Sequence, residues 1–500
     1  MQAIEKAFGL VATPGVLISV LLASAFGMVI GAIPGLTATM AIALLVPITF
    51  FMDPLPAVGA MIACSAMAIF AGDIPSTLLR IPGTPASAAY TDEAYAMTRK
   101  GEAETALGAN LLFSAIGGLF GTAVLIVAAP ALAEVALRFS SFEYFWLAVL
   151  GLTCAIFIGA VSPLKGLISL FIGLLVATVG LNNPAGVPRF TFGYTELMGG
   201  IDFIPAMIGL FAVSEVLRAM VHGATDLKVT QSRVGNLFRN WGGMIKTYWR
   251  QQVRGNTLGT AIGILPGAGA DIAAWVAYAM SKKFSKTPEK FGKGHVEGIV
   301  ESTSANNAAL GGAWVPALVF GIPGDSITAV VIGVLFIKGL NPGPTLFINN
   351  PESIYAVFLI FILANLFMIP LGWAVMKGAT VILRVPRRVL MPLILGFSMV
   401  GAFAVNNTAY GIVIMLAFGV LGFLMEENDI PVAPCILGIV LGPMIEENFV
   451  TSMIKSDGSF LAFFERPIAG ALGVFTILVV LSPLIGMALR RMRRPAANAA

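Results

Sequence analysis

The sequence predicts an all-α polytopic membrane protein made of two repeated halves, whose helices are discontinuous or re-entrant and break at Pro-Gly steps. Three observations predict it. Of 500 residues, 57% are hydrophobic and 11% charged, against about 25% charged in a soluble globular protein. The charged residues are bunched, which leaves apolar runs long enough to cross a bilayer core of roughly 30 Å. Two Pro-Gly elements also occur twice, in the same order. An ordinary soluble enzyme is thereby excluded. The formal net charge of +4 is small and most of its cations fall outside the apolar runs or near their ends, so it bears on membrane orientation and gives no reason to expect nucleic acid.

In chain order, the first half offers apolar segments at 15–33, 36–51, 55–72, 106–132, 143–161, 164–181 and 202–220. The N-terminus opens with Glu5 and Lys6, and its apolar stretch runs to Leu36 without a small-residue cleavage site. The first segment is therefore expected to stay in the mature protein. Between 226 and 254, Lys228, Arg233, Arg239, Lys246, Arg250 and Arg254 are interleaved with Trp241, Tyr248 and Trp249. That pattern suits a basic interfacial linker on the cytoplasmic side. The second half offers segments at 255–266, 269–280, 305–321, 325–340, 353–379, 391–408, 410–425, 431–449 and 467–489. The expected organisation is thus a first half over 1–225, a linker over 226–254, a second half over 255–466, and a last helix with tail over 467–500. The tail carries Arg490, Arg491, Arg493 and Arg494 and should be cytoplasmic by the positive-inside rule. In the first half, Arg99 and Lys100 are offset by Glu93, Glu102 and Glu104; inverted repeats would make this loop periplasmic, and charge leaves the matter open. Cys64, Cys154 and Cys435 lie within apolar runs at no paired spacing, so they read as buried thiols, neither disulfides nor a metal site.

The repeat is visible within the chain. GMVIGAIPG contains Gly27, Gly31, Pro34 and Gly35, and GTAIGILPG holds Gly259, Gly263, Pro266 and Gly267 at the same spacing. IPSTLLRIPGT (74–84) then matches VPALVFGIPGD (315–325), with Pro75 and Pro82 as far apart as Pro316 and Pro323. More weakly, GLISLFIGLLVATVGLNN (166–183) aligns with GIVIMLAFGVLGFLMEEN (411–428).

Proline removes a backbone donor and clashes with the preceding turn, and glycine admits conformations closed to other residues. A helix should break at each step. Non-helical backbone at membrane depth survives only inside protein or beside a water-filled cavity, so four breaks imply an internal polar site. The segments 255–265 and 269–280 are each about half a bilayer span at 1.5 Å per residue. They are flanked by the basic linker and by Lys282, Lys283, Lys286, Lys290 and Lys293, as in a re-entrant hairpin. A half-helix starting at such a tip offers free N–H groups and a positive dipole end, which favours an anion such as a carboxylate. The candidate substrate-binding residues are Gly35, Thr37 and Thr39; Gly83, Thr84 and Ser87; Gly267 and Gly269; Gly324, Ser326 and Thr328; and the amides Asn306 and Asn307. The competing reading is packing, since Gly255, Gly259, Gly263 and Gly267 also form a small-residue ridge.

Polar groups in apolar surroundings add Asp73, Asp271, Asp325, Asn306 and Asn307. Asp271 and Asp325, each just after a break, are the preferred cation-coupling residues; helix capping is the alternative. Arg80, where the other half has Gly321, could pair with an anionic substrate or snorkel to an interface.

The motifs GAIPGLTATMAIALLVPIT, GILPGAGADIAAWVAYAMSKK, ESTSANNAALGGAWVPALVFGIPGDSITAVVIG and LGIVLGPMIEENF resemble the large, TctA-like membrane subunit of bacterial tripartite tricarboxylate transporters. The resemblance runs from about Leu17 to Phe449. It implies a translocating subunit of about a dozen transmembrane segments in the bacterial inner membrane. It further implies a small four-helix membrane subunit and a periplasmic solute-binding protein as partners, a carboxylate substrate, and coupling to Na+ or H+ with no other cofactor. Residue by residue it covers Pro34, Gly35, Pro82, Gly83, Pro266, Gly267, Asn306, Asn307, Pro323 and Gly324, together with Glu446, Glu447 and Asn448. The 73–75 stretch departs from a glycine-rich pattern in many relatives, which bears on the first half's part in substrate choice. No G-x-x-x-x-G-K-[ST] phosphate loop occurs, in keeping with transport without ATP hydrolysis. Alternatives are a single-component carboxylate symporter, a membrane-embedded enzyme and a non-transporting scaffold. An enzyme fits poorly, because the two histidines, His222 and His295, fall in polar loops away from any catalytic cluster.

Overall fold

A computed structural model describes residues 2–158, 162–181, 186–222, 235–379 and 387–492. Asp226, Lys228 and Arg233 of the basic segment, and Arg493 and Arg494 of the tail, lie outside the described residues. Those described form helices and no strand, with one isolated bridge between Gly180 and Arg189. The first half contains α1 (Gln2–Val11), α2 (Pro14–Ala32), α3 (Ala38–Thr49), α4 (Pro54–Ala71), α5 (Asp73–Leu79), α6 (Thr91–Arg99), α7 (Ala103–Ala136), α8 (Ser141–Ile158) and α9 (Pro163–Ala177). It ends with α10 (Phe203–Ile208), a π turn (Gly209–Val213) and α11 (Ser214–His222). The second half contains α12 (Trp241–Ile264), α13 (Gly269–Phe284), α14 (Val296–Phe320), α15 (Ser326–Ile337), α16 (Pro344–Asn349) and α17 (Pro351–Lys377). After these come α18 (Arg387–Asn406), α19 (Ala409–Glu427), α20 (Ala433–Lys455), α21 (Ala462–Glu465) and α22 (Pro467–Met492). Among the described residues 7 spans are long and apolar enough to cross a bilayer, beside shorter apolar helices. The chain is a polytopic helical membrane protein.

Helices break at all four Pro-Gly steps, and the two halves break alike. Ile33 and Leu265 leave their helices with ψ 119, and Gly35 and Gly267 then turn at φ 88 and 81, a left-handed conformation that glycine takes without strain. At the second break, Arg80 and Gly321 both cap their helices at positive φ and bond back to the carbonyls of Pro75 and Pro316. These are matching positions. Packing repeats too. A Cβ added at Gly27 or Gly31 would strike the backbone of Cys64 or Ala68, and one at Gly259 or Gly263 would strike that of Ala305 or Ala309. At the second break, Gly83 lies on Gly72 as Gly324 lies on Ala313. The packing reading of the glycine ridge therefore holds alongside the break reading.

The weakest repeat block is also real, and it pairs across the halves. α9 packs on α20 where Gly438 meets Leu170, and α19 packs on the π turn where Gly209 meets Met415; Leu170 and Met415 are aligned positions. In the same crossed manner, α7 of the first half lies on α14, Gly117 meeting Ser304 and Gly121 meeting Ala308.

Two expectations about length are corrected. α12 begins at Trp241, inside the basic segment, and is kinked at Tyr248, so the helix before Pro266 exceeds a half-span. α14 starts at Val296, nine residues before the apolar run. One ion pair explains both extensions: Arg254 Nε and Nη2 each lie 2.5 Å from an oxygen of Glu301, whose side chain is wholly buried. A paired and hydrogen-bonded charge is tolerated where a lone one is not.

The hairpins enter from opposite faces. α14 spans about 37 Å at 1.5 Å per residue over its 25 residues. At its start, Ser285 Oγ donates to Glu297 at 2.6 Å, which puts the end of α13 there. Past its far end, Lys338 Nζ donates to the carbonyls of Phe50 and Met52, at 3.1 and 2.6 Å, which puts the α3–α4 junction there. The loop containing Glu93 and Lys100 sits on the face of the lysine-rich loop, not opposite it as expected above, while the matching segment of the second half, at Lys338, lies at the other end of α14. Glu93 accepts the N–H groups of Gly292, Gly294 and His295, and Lys100 Nζ donates to Lys293 O at 2.6 Å. The reason is that α4 and α5 together run the full 26 residues from Pro54 to Leu79 and deliver the chain to that face. On the other face, Arg189 grips Glu446 with two bonds of 2.7 Å, and the carboxylate raises the guanidinium's pKa further above its ordinary value.

Single cysteines placed at Asp53 and Lys290, both exposed, are expected to react with an impermeant maleimide from opposite sides of sealed vesicles; same-side labelling overturns the opposed hairpins. Gly259→Val should lower the thermal unfolding midpoint of the purified protein by the equivalent of ~1–3 kcal/mol or more. Gly9→Ala, with nothing within 4 Å of the new Cβ, should leave it unchanged.

Candidate functional site

All four breaks lead to one place. A cavity of about 420 Å³ is lined by Gly35, Thr37, Ala38 and Thr39 at the start of α3, by Gly267 to Ile272 at the start of α13, by Asp325, Ser326 and Ile327 at the start of α15, and by Thr84 and Pro85. Three helix N-termini thus converge, two from the second half and one from the first. Each leaves amide donors and a positive dipole end facing the same space.

Side chains at the breaks cap these ends, again by repeat. Thr84 and Ser87 exchange bonds: each backbone N–H donates to the other's hydroxyl at 3.1 Å. At the matching positions, Thr328 N–H and Oγ1 both donate to Asp325 Oδ1 at 2.8 Å, and Asp325 N–H donates to Thr328 Oγ1 at 2.9 Å. The capping reading of Asp325 is realised, although the residue also lines the cavity. Thr37 Oγ1 accepts from Met40 N–H at 3.2 Å. Asp271 does something different. It stands where the first half has Thr39, and its Oδ1 accepts the N–H of Ala86 at 3.1 Å, so a second-half carboxylate caps a first-half break. Trp275 Nε1 donates to Pro85 O at 3.1 Å beside it.

Of the sequence candidates, Gly35, Thr37, Thr39, Thr84, Gly267, Gly269, Asp271, Asn306, Asp325 and Ser326 line the cavity. Gly83, Ser87, Asn307, Gly324 and Thr328 stand behind it: Ser87 and Thr328 close the caps, Gly83 and Gly324 allow close backbone contact, and Asn307 Nδ2 donates to Thr303 O at 3.3 Å. Asn306 is wholly buried, and neither atom of its amide has a hydrogen-bond partner. A buried amide without partners is expensive unless a ligand or water completes it. Arg80 does not reach the cavity. Its Nη2 pairs with Asp92 at 2.9 Å on the exterior, so it is not a substrate residue of this site.

The sequence reading missed the far wall. Phe211, Glu215 and Arg218 from the π turn and α11, with Glu426 from α19, also line the cavity, beside an apolar stretch at Pro431 to Ala433. Arg218 Nη1 lies 3.5 Å from Glu215 and 3.2 Å from Glu426, and among the described residues it is the one cationic side chain in that lining. An arginine at the end of the 202–220 run resembles an interface anchor, and only the pairing of α11 with α19 brings it inward.

Residues 17–437 match the family described as the tripartite tricarboxylate transporter TctA family. The chain belongs to that family. A relative from Agrobacterium vitis, described as an uncharacterized 52.8 kDa protein in the TAR-I ttuC' 3' region, is 35% identical over 468 residues, covering 92% of each chain. A second, described as an uncharacterized protein in the TAR-II ttuC' 3' region of the same organism, is 32% identical over 230 residues, or 45% of this chain and 95% of the relative. No solved structure matches. As a TctA-family protein the chain is a membrane subunit of a tripartite transporter, a system that also has a binding protein and a small membrane subunit.

Removing the Asp271 carboxylate strands a buried amide, and an unpaired buried donor costs about 1–3 kcal/mol. Asp271→Ala should therefore melt well below Asp271→Asn, which keeps an acceptor for Ala86. Equal midpoints in a detergent thermal-shift assay refute the cross-half cap.

Proposed function

We propose that this TctA-family chain is the substrate-translocating subunit of a cation-coupled secondary transporter, importing a tricarboxylate or related organic acid delivered by a periplasmic binding protein. Its membrane partner is the small four-helix subunit, its location the bacterial inner membrane, and its C-terminal tail faces the cytoplasm. The reading rests on one observation: helix N-termini from both halves and the Arg218 guanidinium face one cavity. Discontinuous helices at corresponding positions of two repeats are the usual pointer to a secondary transporter's site. A volume of about 420 Å³ falls within the ~300–1,000 Å³ of small-molecule sites.

Charge supports coupling. Among the described residues the lining has four carboxylates, Asp271, Asp325, Glu215 and Glu426, against Arg218 alone. A carboxylate substrate adds negative charge to an already acidic chamber, so a cation or proton must accompany it. Asp271 and Asp325 are the proposed coupling groups. Substrate carboxylates would take the amide ends of α3, α13 and α15 and the Asn306 amide, with Arg218 recruited from its glutamate partners. Access alternates by elevator-like sliding of the broken hairpins against the longer helices. The high-affinity step belongs to the binding protein, because a site that must release inward cannot also hold tightly.

The test is uptake into proteoliposomes holding both membrane subunits, with a panel of di- and tricarboxylates, with and without binding protein, under imposed sodium or proton gradients. Accumulation should need the binding protein and one gradient. Uptake indifferent to both gradients refutes coupled transport, and uptake undiminished without the binding protein favours the single-component alternative. Arg218→Gln should raise the half-saturating substrate concentration about tenfold or more, the loss of one charge-assisted hydrogen bond at ~1.5–3 kcal/mol.

A further inference from the structure

Behind the cavity lies a carboxylate that the proposed site does not use. Asp73 opens α5 and is wholly buried. Its Oδ1 accepts a short hydrogen bond from the Tyr90 hydroxyl, and its Oδ2 has no hydrogen-bond partner. Tyr90 is also wholly buried and lies close enough to interact with Asn306, the amide that lines the cavity and makes no hydrogen bond of ordinary geometry. A carboxyl, a phenol and an amide therefore run in order from the protein interior to the chamber.

We propose that Asp73 is a proton-carrying site, with Tyr90 as its hydrogen-bonded partner and Asn306 as its link to the cavity. An ionised carboxylate in a dry interior needs a cation or several donors, and lacking them it costs several kcal/mol. Asp73 has one donor. Asp325 and Asp271, in contrast, accept backbone N–H groups and border the chamber. Among the described residues, no charged group lies close enough to compensate Asp73. α2 and α4 bring none to it; on α6, Asp92 is taken by Arg80 and Glu93 by the 292–295 amides, while Arg99 is solvent-facing; on α7, Glu104 pairs with Arg239. Asp271, one turn before the Ala274 that packs on Tyr90, is the nearest further charge and carries the same sign.

The fold does not require this carboxyl. At the matching position of the second half stands Trp314, buried and uncharged, and the break that follows has the same shape. Asp73 is thus an addition to the repeat. The step is simple: a proton from cavity water forms an O–H bond on the carboxylate and neutralises it, and breaking that bond returns the proton to water. One positive charge is carried and nothing is oxidised or reduced. The role of this proton in coupling rests on the transport reading above, whereas its presence on Asp73 does not.

Infrared difference spectra of the full-length chain in lipid vesicles, taken across a pH titration, test the assignment. The wild type should show a carboxylic acid C=O band that persists at neutral pH. That band should vanish in Asp73→Asn and move in Tyr90→Phe, a variant that keeps the ring and so guards against misfolding of the first. Identical bands in all three proteins overturn the proposal. Loss of the band on adding sodium at constant pH overturns it too, by making Asp73 a sodium ligand. Because the readout is a vibrational band, failure of the uptake assay leaves this result standing, and the reverse holds.

Discussion

The constraint on which this structure depends is that a backbone N–H exposed at membrane depth must find a partner. Each Pro-Gly break frees such groups in the middle of an apolar bundle, where no solvent can satisfy them. The protein meets the demand in two ways. Hydroxyls and carboxylates at the breaks cap some amides, as Thr84 with Ser87 and Asp325 with Thr328 do. The remaining ends surround a polar chamber, so the solution to a folding problem is also an anion-favouring site.

The repeat explains how four breaks come to one point. A single half could bring only its own two breaks together. Opposed insertion places the tip of one hairpin against the second break of the other, and the Asp271 bond to Ala86 records that meeting. Crossed packing of α7 on α14 and of α9 on α20 then fastens the halves to each other through glycines that allow backbones to touch. The halves have diverged in charge more than in shape. Thr39 and Thr84 of the first correspond to Asp271 and Asp325 of the second, while Asp73 corresponds to Trp314. Carboxylates are thus distributed unequally over a symmetric scaffold, and that inequality gives the chamber its polarity.

Much of this was legible in the chain. Composition and apolar run length fixed the class, because lipid penalises charge and rewards runs of about 20 residues. Proline and glycine marked the breaks, since their effect on a helix is local and needs no neighbour. The residues after each break were found for the same reason. Helix starts were read less well: α12 and α14 begin earlier than their apolar runs because Arg254 and Glu301 neutralise each other, a partnership between residues on different helices.

What the sequence by itself determined is the set of helices, where they snap, and that the snapping occurs twice. Tertiary structure decided which broken ends share a chamber, that Arg218 and Glu426 wall it while Arg80 does not, that the Glu93 loop lies on the lysine-rich face, and that Asp73 is shut away behind Tyr90. The physical reason is range. Backbone propensity and hydropathy act over a few neighbouring residues, whereas charge compensation and close glycine contact depend on which distant segments are brought within a few ångströms.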